Sequence, residues 1–111
     1  MAYTPDRGDL IWLDFNPQTG REQAKRRPAI VLSPVEYNAK VRLALVCPIT
    51  FKVKGYPFEV ALPDNLDVSG VILADQIKSL DWQTRNAEFI CKAPPTLMAE
   101  VMAKLKTLLP Q

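Results

Sequence analysis

Arg27 and Thr50 have the side chains and the positions best suited to chemistry on a negatively charged group. Arg27 stands directly before Pro28, and a residue that precedes proline is biased toward an extended backbone. An apolar run follows at once, so Arg27 belongs to a loop-to-strand junction. Thr50 ends a second apolar run and supplies a hydroxyl donor. Two interpretations are open from these residues alone. One is a reaction centre where the two run ends meet, since a fixed guanidinium stabilises charge that develops on an anion. The other is a surface arginine and an ordinary hydroxyl at the end of a strand.

The sequence contains no histidine, and this narrows the chemistry that the chain can perform. A Ser-His-Asp triad, a Cys-His pair and a histidine acid–base pair are excluded, and the commonest zinc ligand is missing. Cys47 and Cys91 each lie in an apolar run without a neighbouring cysteine, so we expect two reduced thiols, although their spacing does not forbid a disulfide. No group of side chains has a recognisable metal-binding spacing, and we expect neither a metal nor another cofactor.

Residues 16–28 (NPQTGREQAKRRP) form a long stretch with almost no large apolar side chain. The stretch carries four cations against the single acid Glu22, namely Arg21, Lys25, Arg26 and Arg27. A loop of this length in a compact domain is usually functional or disordered. Two interpretations are open at this point: a solvated hairpin loop, and an arm that binds anions through its arginines.

The elements that must position these residues are short strands. Runs of β-forming residues separated by turn signals cover most of the first three quarters of the chain. They occupy residues 8–15, 28–33, 43–49, 58–62, 71–74, 77–82 and 89–92. Several short strands at close spacing predict a small barrel or sandwich. The continuous apolar run at residues 28–33 is typical of a strand that is buried on both faces.

The C-terminal part of the chain changes to a helical pattern. Residues 96–109 (TLMAEVMAKLKTLL) repeat large apolar side chains at helical spacing, at Leu97, Val101, Leu105 and Leu108. Pro95 suits a first helical turn, and Glu100 and Lys104 have the spacing of a favourable ion pair. The pattern predicts an amphipathic helix of about 14 residues that packs across one end of the barrel.

Composition and charge place limits on the class of protein. The chain has 111 residues, 48% hydrophobic and 23% charged, and this balance predicts one globular domain spanning residues 1–111. The net charge of +2 is too small to indicate a nucleic-acid partner by itself. An argument for nucleic-acid binding therefore depends on where the cations lie. The N-terminus lacks the apolar stretch of a signal peptide, and no run approaches the roughly 20 apolar residues of a membrane span. We therefore expect a cytoplasmic protein.

Five segments in order resemble the MazF/PemK toxins. They are GDLIWLDFNPQTGREQAKRRPAIVLSP, VCPIT, KGYPFEV, GVILADQIKSLDW and the closing helix. The resemblance implies a mainly β fold, an SH3-like barrel with a C-terminal helix, and a homodimer. The implied activity is metal-independent cleavage of single-stranded RNA, chiefly mRNA, at short sequences, which leaves a 2′,3′-cyclic phosphate and a 5′-hydroxyl. The resemblance also implies the toxin of a toxin–antitoxin pair that inhibits growth, and an acidic segment of the antitoxin is expected to occupy the RNA groove.

The resemblance also assigns roles to individual residues. By position, Arg27 and Thr50 match the family's two catalytic residues, and Glu22 matches an acidic loop residue implicated in activity. Asp75 and Gln76 match residues that act at the substrate in part of the family. Arginine is a poor proton acceptor at neutral pH, so Glu22, Asp75 or a phosphate oxygen is left as the base that takes the 2′ proton.

Further side chains around this centre are expected to hold the RNA strand. The candidates are cations, an amide and an aromatic ring, namely Arg21, Lys25, Arg26, Phe51, Lys54, Gln76, Lys78 and Arg85, with Lys52 beside them in sequence. Phe51, Tyr56 and Phe58 flank a turn and are better placed to stack on bases than Trp12 and Trp82, which we expect in the core.

Three positions depart from some members of the family. Arg21 stands where some carry histidine, Leu73 where some carry arginine, and Phe51 replaces a small polar residue. A mechanism built on a His-Asp-Arg set therefore does not transfer, and the arginine–threonine version is favoured. Phe51 is expected to affect which base is read.

Two other functions compete with RNA cleavage. A non-enzymatic inhibitor similar to the CcdB gyrase poisons shares this type of barrel, so fold alone does not separate the two. A barrel that binds nucleic acid without cleaving it is the third interpretation. The combination of Arg27, Thr50 and the basic loop favours the nuclease.

Overall fold

The computed structural model describes residues 2–15 and 26–109 of the chain. These residues form seven strands and two helices: β1 (Asp9–Asp14), β2 (Arg26–Val31), α1 (Val35–Val41), β3 (Ala44–Thr50), β4 (Glu59–Ala61), β5 (Val71–Leu73), β6 (Lys78–Leu80), β7 (Glu88–Lys92) and α2 (Pro95–Lys106). Each strand overlaps a strand expected from the sequence. The predicted roles of Arg21, Glu22 and Lys25 fall outside the described residues.

All strand pairs are antiparallel and belong to one sheet. The strand order is β4-β5-β3-β2-β1-β7, with β6 paired to β3. The mainly β fold with a C-terminal helix is confirmed. Strand pairing does not close the sheet into a ring within the described part of the chain, so the barrel that the sequence predicts is an open one.

The central strands are buried on both faces, as their continuous apolar runs predict. Leu10 and Ile30 point to one cluster, which includes the buried side of α2, whereas Ile11 and Val31 point to a second cluster on the opposite face. This alternation follows from the two-residue period of a strand. Trp82 is 8% exposed and packs in the second cluster, which confirms its expected place in the core.

Helix α1 is an element that the sequence pattern does not predict. It has seven residues and no side-chain cap at Pro34, and it depends on Asn38, which is fully buried. The Asn38 amide donates to the carbonyl of Pro5 at 2.8 Å and accepts from the Ser33 hydroxyl at 2.6 Å. Its backbone carbonyl accepts from the Trp82 indole at 3.0 Å. Tertiary hydrogen bonds therefore hold a helix too short to be stable alone.

Helix α2 is shorter than predicted. It spans 12 residues and buries Leu97, Val101 and Leu105, whereas Leu108 lies beyond its end and is 43% exposed. The expected ion pair within the helix is also wrong, because the Lys104 ammonium donates to the carbonyl of Pro57 at 2.6 Å. This contact ties the helix to the chain ahead of β4. Across residues 2–15 and 26–109, no helix is long and apolar enough to cross a membrane.

Both cysteines are free thiols, as expected. Cys47 on β3 pairs with Ile30, Ile30 pairs with Leu10, and Leu10 pairs with Cys91 on β7. Three strand spacings of about 4.8 Å therefore separate the two thiols along the sheet, too far for a disulfide. Burial, and then the nearby Asp75 carboxylate, raise the pKa of the Cys47 thiol to about 12. Cys47 is thus a core residue and not a nucleophile at neutral pH.

Candidate active site

The candidate site opens where β2 and β3 separate. Their pairing ends at Ala29 opposite Pro48, since neither Pro28 nor Pro48 has an N–H to donate to the ladder. Arg27 on β2 and Thr50 on β3 each lie two residues beyond this last pair, where the two strands no longer pair. The two residues singled out from the sequence therefore border the same gap.

A cavity of about 390 Å³, here called cleft A, lies in this gap. It is lined by Trp12, Arg26, Arg27, Pro28, Ile49, Thr50, Phe51 and Lys52. Trp12 corrects an expectation, because its side chain is only partly buried and borders cleft A instead of filling the core. Phe51 is 70% exposed, so two aromatic rings border a cavity that also holds three cations.

A second cavity of about 260 Å³, cleft B, lies on the other side of Thr50. It is lined by Thr50, Lys52, Lys54, Tyr56, Glu59, Leu73 and Gln76. Thr50 and Lys52 border both clefts. An extended anionic strand that follows the clefts would pass these two residues at the boundary.

The chain from Thr50 to Glu59, here called the β3–β4 loop, carries most of cleft B. The Glu59 carboxylate accepts hydrogen bonds from the backbone N–H groups of Lys54 and Gly55 at 3.0 and 3.1 Å. The Thr50 hydroxyl accepts from the N–H of Lys52 at 3.2 Å. Because this bond uses a lone pair of the hydroxyl, the Thr50 proton is free to be donated to a substrate oxygen.

A bulge between β5 and β6 forms the far wall of cleft B. From Ile72 to Lys78 the chain advances six residues, whereas the β3 residues that pair with these two, Ile49 and Val46, are three apart. The three extra residues are accommodated in the turn that contains Asp75 and Gln76. Bulges of this kind often redirect side chains next to active sites.

Asp75 accepts a hydrogen bond from the Tyr56 hydroxyl at 2.7 Å, and this bond raises the pKa of Tyr56. The Tyr56 hydroxyl therefore stays protonated and acts as a donor. The second Asp75 oxygen is buried without a hydrogen-bond partner among the described residues. Asp75 borders neither cleft. It links the bulge to the β3–β4 loop.

Gly70 fixes the backbone at Thr50. It has a φ of +119°, and a Cβ at this position would lie about 3.0 Å from the Thr50 carbonyl carbon and closer still to its oxygen. The Gly70 carbonyl accepts from the N–H of Leu62 at 3.0 Å. The turn before β5 can approach Thr50 this closely only because residue 70 has no side chain.

The predicted site residues that the structure describes lie in three places: cleft A, cleft B and outside both clefts. Arg26, Arg27, Thr50 and Phe51 meet in cleft A, and Thr50, Lys54 and Gln76 meet in cleft B. Asp75, Lys78 and Arg85 border neither. Glu59 is a site residue that the sequence analysis missed, and its position after the Gly55 turn within KGYPFEV is the only signal that could have indicated it. Among residues 2–15 and 26–109, no three His, Cys, Asp or Glu side chains form a group suited to a metal.

The sequence profile of the PemK-like, MazF-like toxins of type II toxin–antitoxin systems matches residues 6–109. The chain belongs to this family. Among its relatives, the endoribonuclease toxin MazF of Escherichia coli K12 is 48% identical over 107 residues, which cover 96% of each protein. The endoribonuclease PemK of Escherichia coli is 30% identical, over 94% of this chain and 81% of the relative.

Solved structures of the family share the fold. The chain is similar to a MazE–MazF crystal structure (Form-II) from Deinococcus radiodurans, with a TM-score of 0.93, 56% sequence identity and 97% of each chain covered. A mycobacterial endoribonuclease in complex with its cognate antitoxin has a TM-score of 0.77 at 20% identity, with 99% of each chain covered. That second likeness concerns the fold alone.

Proposed function

We propose that this chain cleaves single-stranded RNA at short sequences without a metal ion, leaving a 2′,3′-cyclic phosphate and a 5′-hydroxyl. Membership of the family makes it a toxin endoribonuclease of a toxin–antitoxin system. A gyrase poison on the same type of fold is not supported, because the matching relatives are named endoribonucleases. The observation that carries the proposed chemistry is that Arg27 and Thr50 both line cleft A.

Cleavage begins when the ribose 2′-oxygen attacks the adjacent phosphorus and the 5′-oxygen of the next nucleotide leaves. Negative charge grows on the non-bridging phosphate oxygens, and the Arg27 guanidinium stabilises it by paired hydrogen bonds. The Thr50 hydroxyl donates to another oxygen of the same phosphate. Lys52 lies at the boundary of the two clefts, and its ammonium adds a contact to the RNA backbone beside those of Arg27 and Thr50.

The proton from the 2′-hydroxyl needs an acceptor, and the leaving 5′-oxygen takes up a proton. Within the described residues no carboxylate lines cleft A, and the Glu59 carboxylate that lines cleft B already accepts hydrogen bonds from two backbone N–H groups. We therefore assign the 2′ proton to Glu22, which belongs to the basic segment next to Arg27 in sequence. The leaving 5′-oxygen then takes its proton from this carboxylic acid, or from a water molecule that the acid re-protonates, so the reaction consumes no proton overall.

The RNA strand is proposed to follow the two clefts, with the scissile phosphate at their boundary. Trp12 and Phe51 offer aromatic faces in cleft A, and Tyr56 offers one in cleft B. Unpaired bases stack on such rings, whereas the bases of an A-form duplex are not accessible to them. The separated β2 and β3 strands thus suit a single strand better than a duplex.

The decisive experiment is cleavage of a labelled single-stranded RNA by the purified protein in EDTA. We expect full activity with chelator, products that end in a 2′,3′-cyclic phosphate, and no cleavage of the same sequence within a duplex. An RNA with a 2′-deoxy nucleotide at the cut position is the matched control and should bind without being cut. Activity that disappears in EDTA and returns with magnesium would contradict the proposal.

A second experiment separates two roles for Asp75, proton acceptor and anchor of the β3–β4 loop. Asp75→Asn keeps an oxygen that accepts from Tyr56, whereas Asp75→Ala and Tyr56→Phe each remove the hydrogen bond. We expect anchoring, because Asp75 borders neither cleft. Asp75→Ala and Tyr56→Phe should then lower kcat/KM about 10-fold each through misplaced contacts, and Asp75→Asn should stay near wild type. If both Asp75 variants are inactive and Tyr56→Phe is not, Asp75 is the base.

The partners follow from the same site and from the family. We propose a single-domain chain that acts in the cytoplasm as a homodimer, and an acidic antitoxin segment that competes with RNA for the clefts. Exposed apolar side chains outside cleft A support a shared surface, since Val53 and Leu109 are each 64% exposed. Light scattering should report about twice the chain mass of 12.5 kDa. An antitoxin segment that binds together with uncleavable RNA would contradict the competition.

A further inference from the structure

Arg26, which lines cleft A, is hydrogen-bonded to three residues outside the lining of the cleft, and the four are here called the Arg26 clasp: Arg26, Asp14, Asn86 and Glu88. The Arg26 guanidinium pairs with Asp14 at 2.9 Å and with Glu88 at 2.8 Å, and it donates to the Asn86 carbonyl at 2.6 Å. The Asn86 amide in turn donates to the second Asp14 oxygen at 2.9 Å. Each member contacts at least one other member through a side chain.

The clasp joins three neighbouring strands. Arg26 opens β2 opposite Asp14 on β1, and Glu88 on β7 pairs with Trp12 of β1. The guanidinium therefore extends across β1. The hydrogen bond from Asn86, and then the pairing with Arg26, hold the pKa of Asp14 below its ordinary value, so its carboxylate is charged at neutral pH.

The contribution of the clasp to overall stability is small. Arg26, Asp14 and Glu88 side chains are 34%, 23% and 70% exposed, and exposed ion pairs contribute little to the stability of a fold. Its geometric effect is larger, because one planar side chain is fixed by three acceptors. A purely stabilising role would not explain why this network is built at the residue next to Arg27.

Arg26 and Arg27 are consecutive in β2 and both line cleft A, so the short backbone between them couples the directions of their side chains. When the Arg26 side chain is held across β1, the backbone at the start of β2 is fixed in rotation about the strand. Arg27 is then held toward the gap that it shares with Thr50. Arg85 supports the same corner by donating to the carbonyls of Asp14 and Phe15 at 3.0 and 2.8 Å.

We propose that Asp14, Asn86 and Glu88 are positioning residues that act through Arg26 to orient Arg27 in cleft A. This inference rests on the proposed RNA cleavage. It gives Arg26 a role different from a direct contact with RNA, since leaving the clasp would expose two carboxylates beside a polyanion.

The signs of two effects make the inference testable. Asp14 and Glu88 are negative charges near the path of the RNA, so charge alone predicts that neutralising them tightens binding and does not slow cleavage. A positioning role predicts instead that neutralising Asp14 and Glu88 slows the chemical step. Loss of the clasp should lower kcat, because a displacement of about 1 Å at the reacting phosphate is costly.

The experiment compares the double variant Asp14→Asn/Glu88→Gln with Asp64→Asn/Asp67→Asn, which removes the same charge from two exposed residues outside the clasp. Single-turnover cleavage measures the chemical step, and binding is measured with the 2′-deoxy RNA. We expect the clasp variant to lose about 10-fold in kcat with unchanged or tighter binding, and the control to keep the wild-type kcat. Arg26→Gln should lose about as much kcat as the clasp variant. Arg26→Lys should recover only part of that loss, since an ammonium cannot form the paired hydrogen bonds of a guanidinium.

Several outcomes would overturn the inference. An unchanged or higher kcat in the clasp variant would show that the carboxylates act by charge alone. Weaker RNA binding with an unchanged kcat in Arg26→Gln would make Arg26 a direct RNA contact. If the double variant does not fold, the single change Glu88→Gln at a 70% exposed side chain gives the same test. A wild-type protein that does not cut RNA would refute the proposed function itself, so the two failures are distinguishable.

Discussion

Arg27→Ala is expected to lower kcat for RNA cleavage by on the order of 100-fold or more. Arg27 lines cleft A together with Thr50, and a guanidinium in this position can bind phosphate oxygens as their charge increases. A cation that attracts the strand equally before and during the reaction would affect KM and leave kcat nearly unchanged. A cation that acts mainly in the transition state shows its loss in kcat. The measurement is steady-state and single-turnover cleavage at matched ionic strength, with circular dichroism to show that the variant is folded.

Two further variants make the assignment specific. Arg27→Lys should recover only part of the loss, because a point charge cannot form the paired hydrogen bonds of the guanidinium. Lys54→Ala removes a cation from cleft B and should raise KM in a salt-dependent way while kcat changes little. If Arg27→Ala keeps kcat within about threefold of wild type and changes only KM, Arg27 is a binding residue and the catalytic assignment is wrong.

Much of the fold could be predicted because its signals are local. β2 and β3 are continuous apolar runs, and both are buried on two faces as such runs require. Helix α1 could not be predicted, because its support comes from Asn38 hydrogen bonds to Pro5 and Trp82, residues 33 and 44 positions away. The bulge at Asp75 could not be predicted either, because its three extra residues are recognised only from the pairing of β5 and β6 with β3.

In the candidate site too, some residues could be predicted from the sequence and others could not. The resemblance to the family indicates Arg27 and Thr50, and both line cleft A because each stands at the end of an apolar run and antiparallel neighbours bring such ends together. The role of Arg26 could not be predicted from the sequence, because its partners Asn86 and Glu88 lie 60 and 62 residues further along the chain. Counting the basic segment as four equivalent cations therefore overlooks the structure that separates Arg26 from Arg27.

Gly70→Ala is the substitution expected to have the largest effect on stability, and it should also impair the site. Two costs combine at this position. A φ of +119° is unfavourable for alanine, and the new Cβ would overlap the Thr50 carbonyl group, which belongs to the backbone of a buried strand and cannot rotate away. We expect the free energy of unfolding to fall by roughly 2 to 5 kcal/mol, the sum of backbone strain and overpacking. Urea unfolding followed by circular dichroism measures this loss.

Gly8→Ala is the matched control for Gly70→Ala. Gly8 also has a positive φ, of +90°, but a Cβ there would meet only the Lys92 and Met98 side chains at 3.6 and 3.8 Å, ordinary contact distances. Its cost should be the backbone strain alone, about 1 to 2 kcal/mol, with normal cleavage by the folded fraction. The folded fraction of Gly70→Ala should instead cut RNA at least about 10-fold more slowly, because Thr50 must shift to admit the methyl group. If the two variants lose equal stability and both retain wild-type kcat, the contact between Gly70 and Thr50 does not position Thr50 for the proposed reaction.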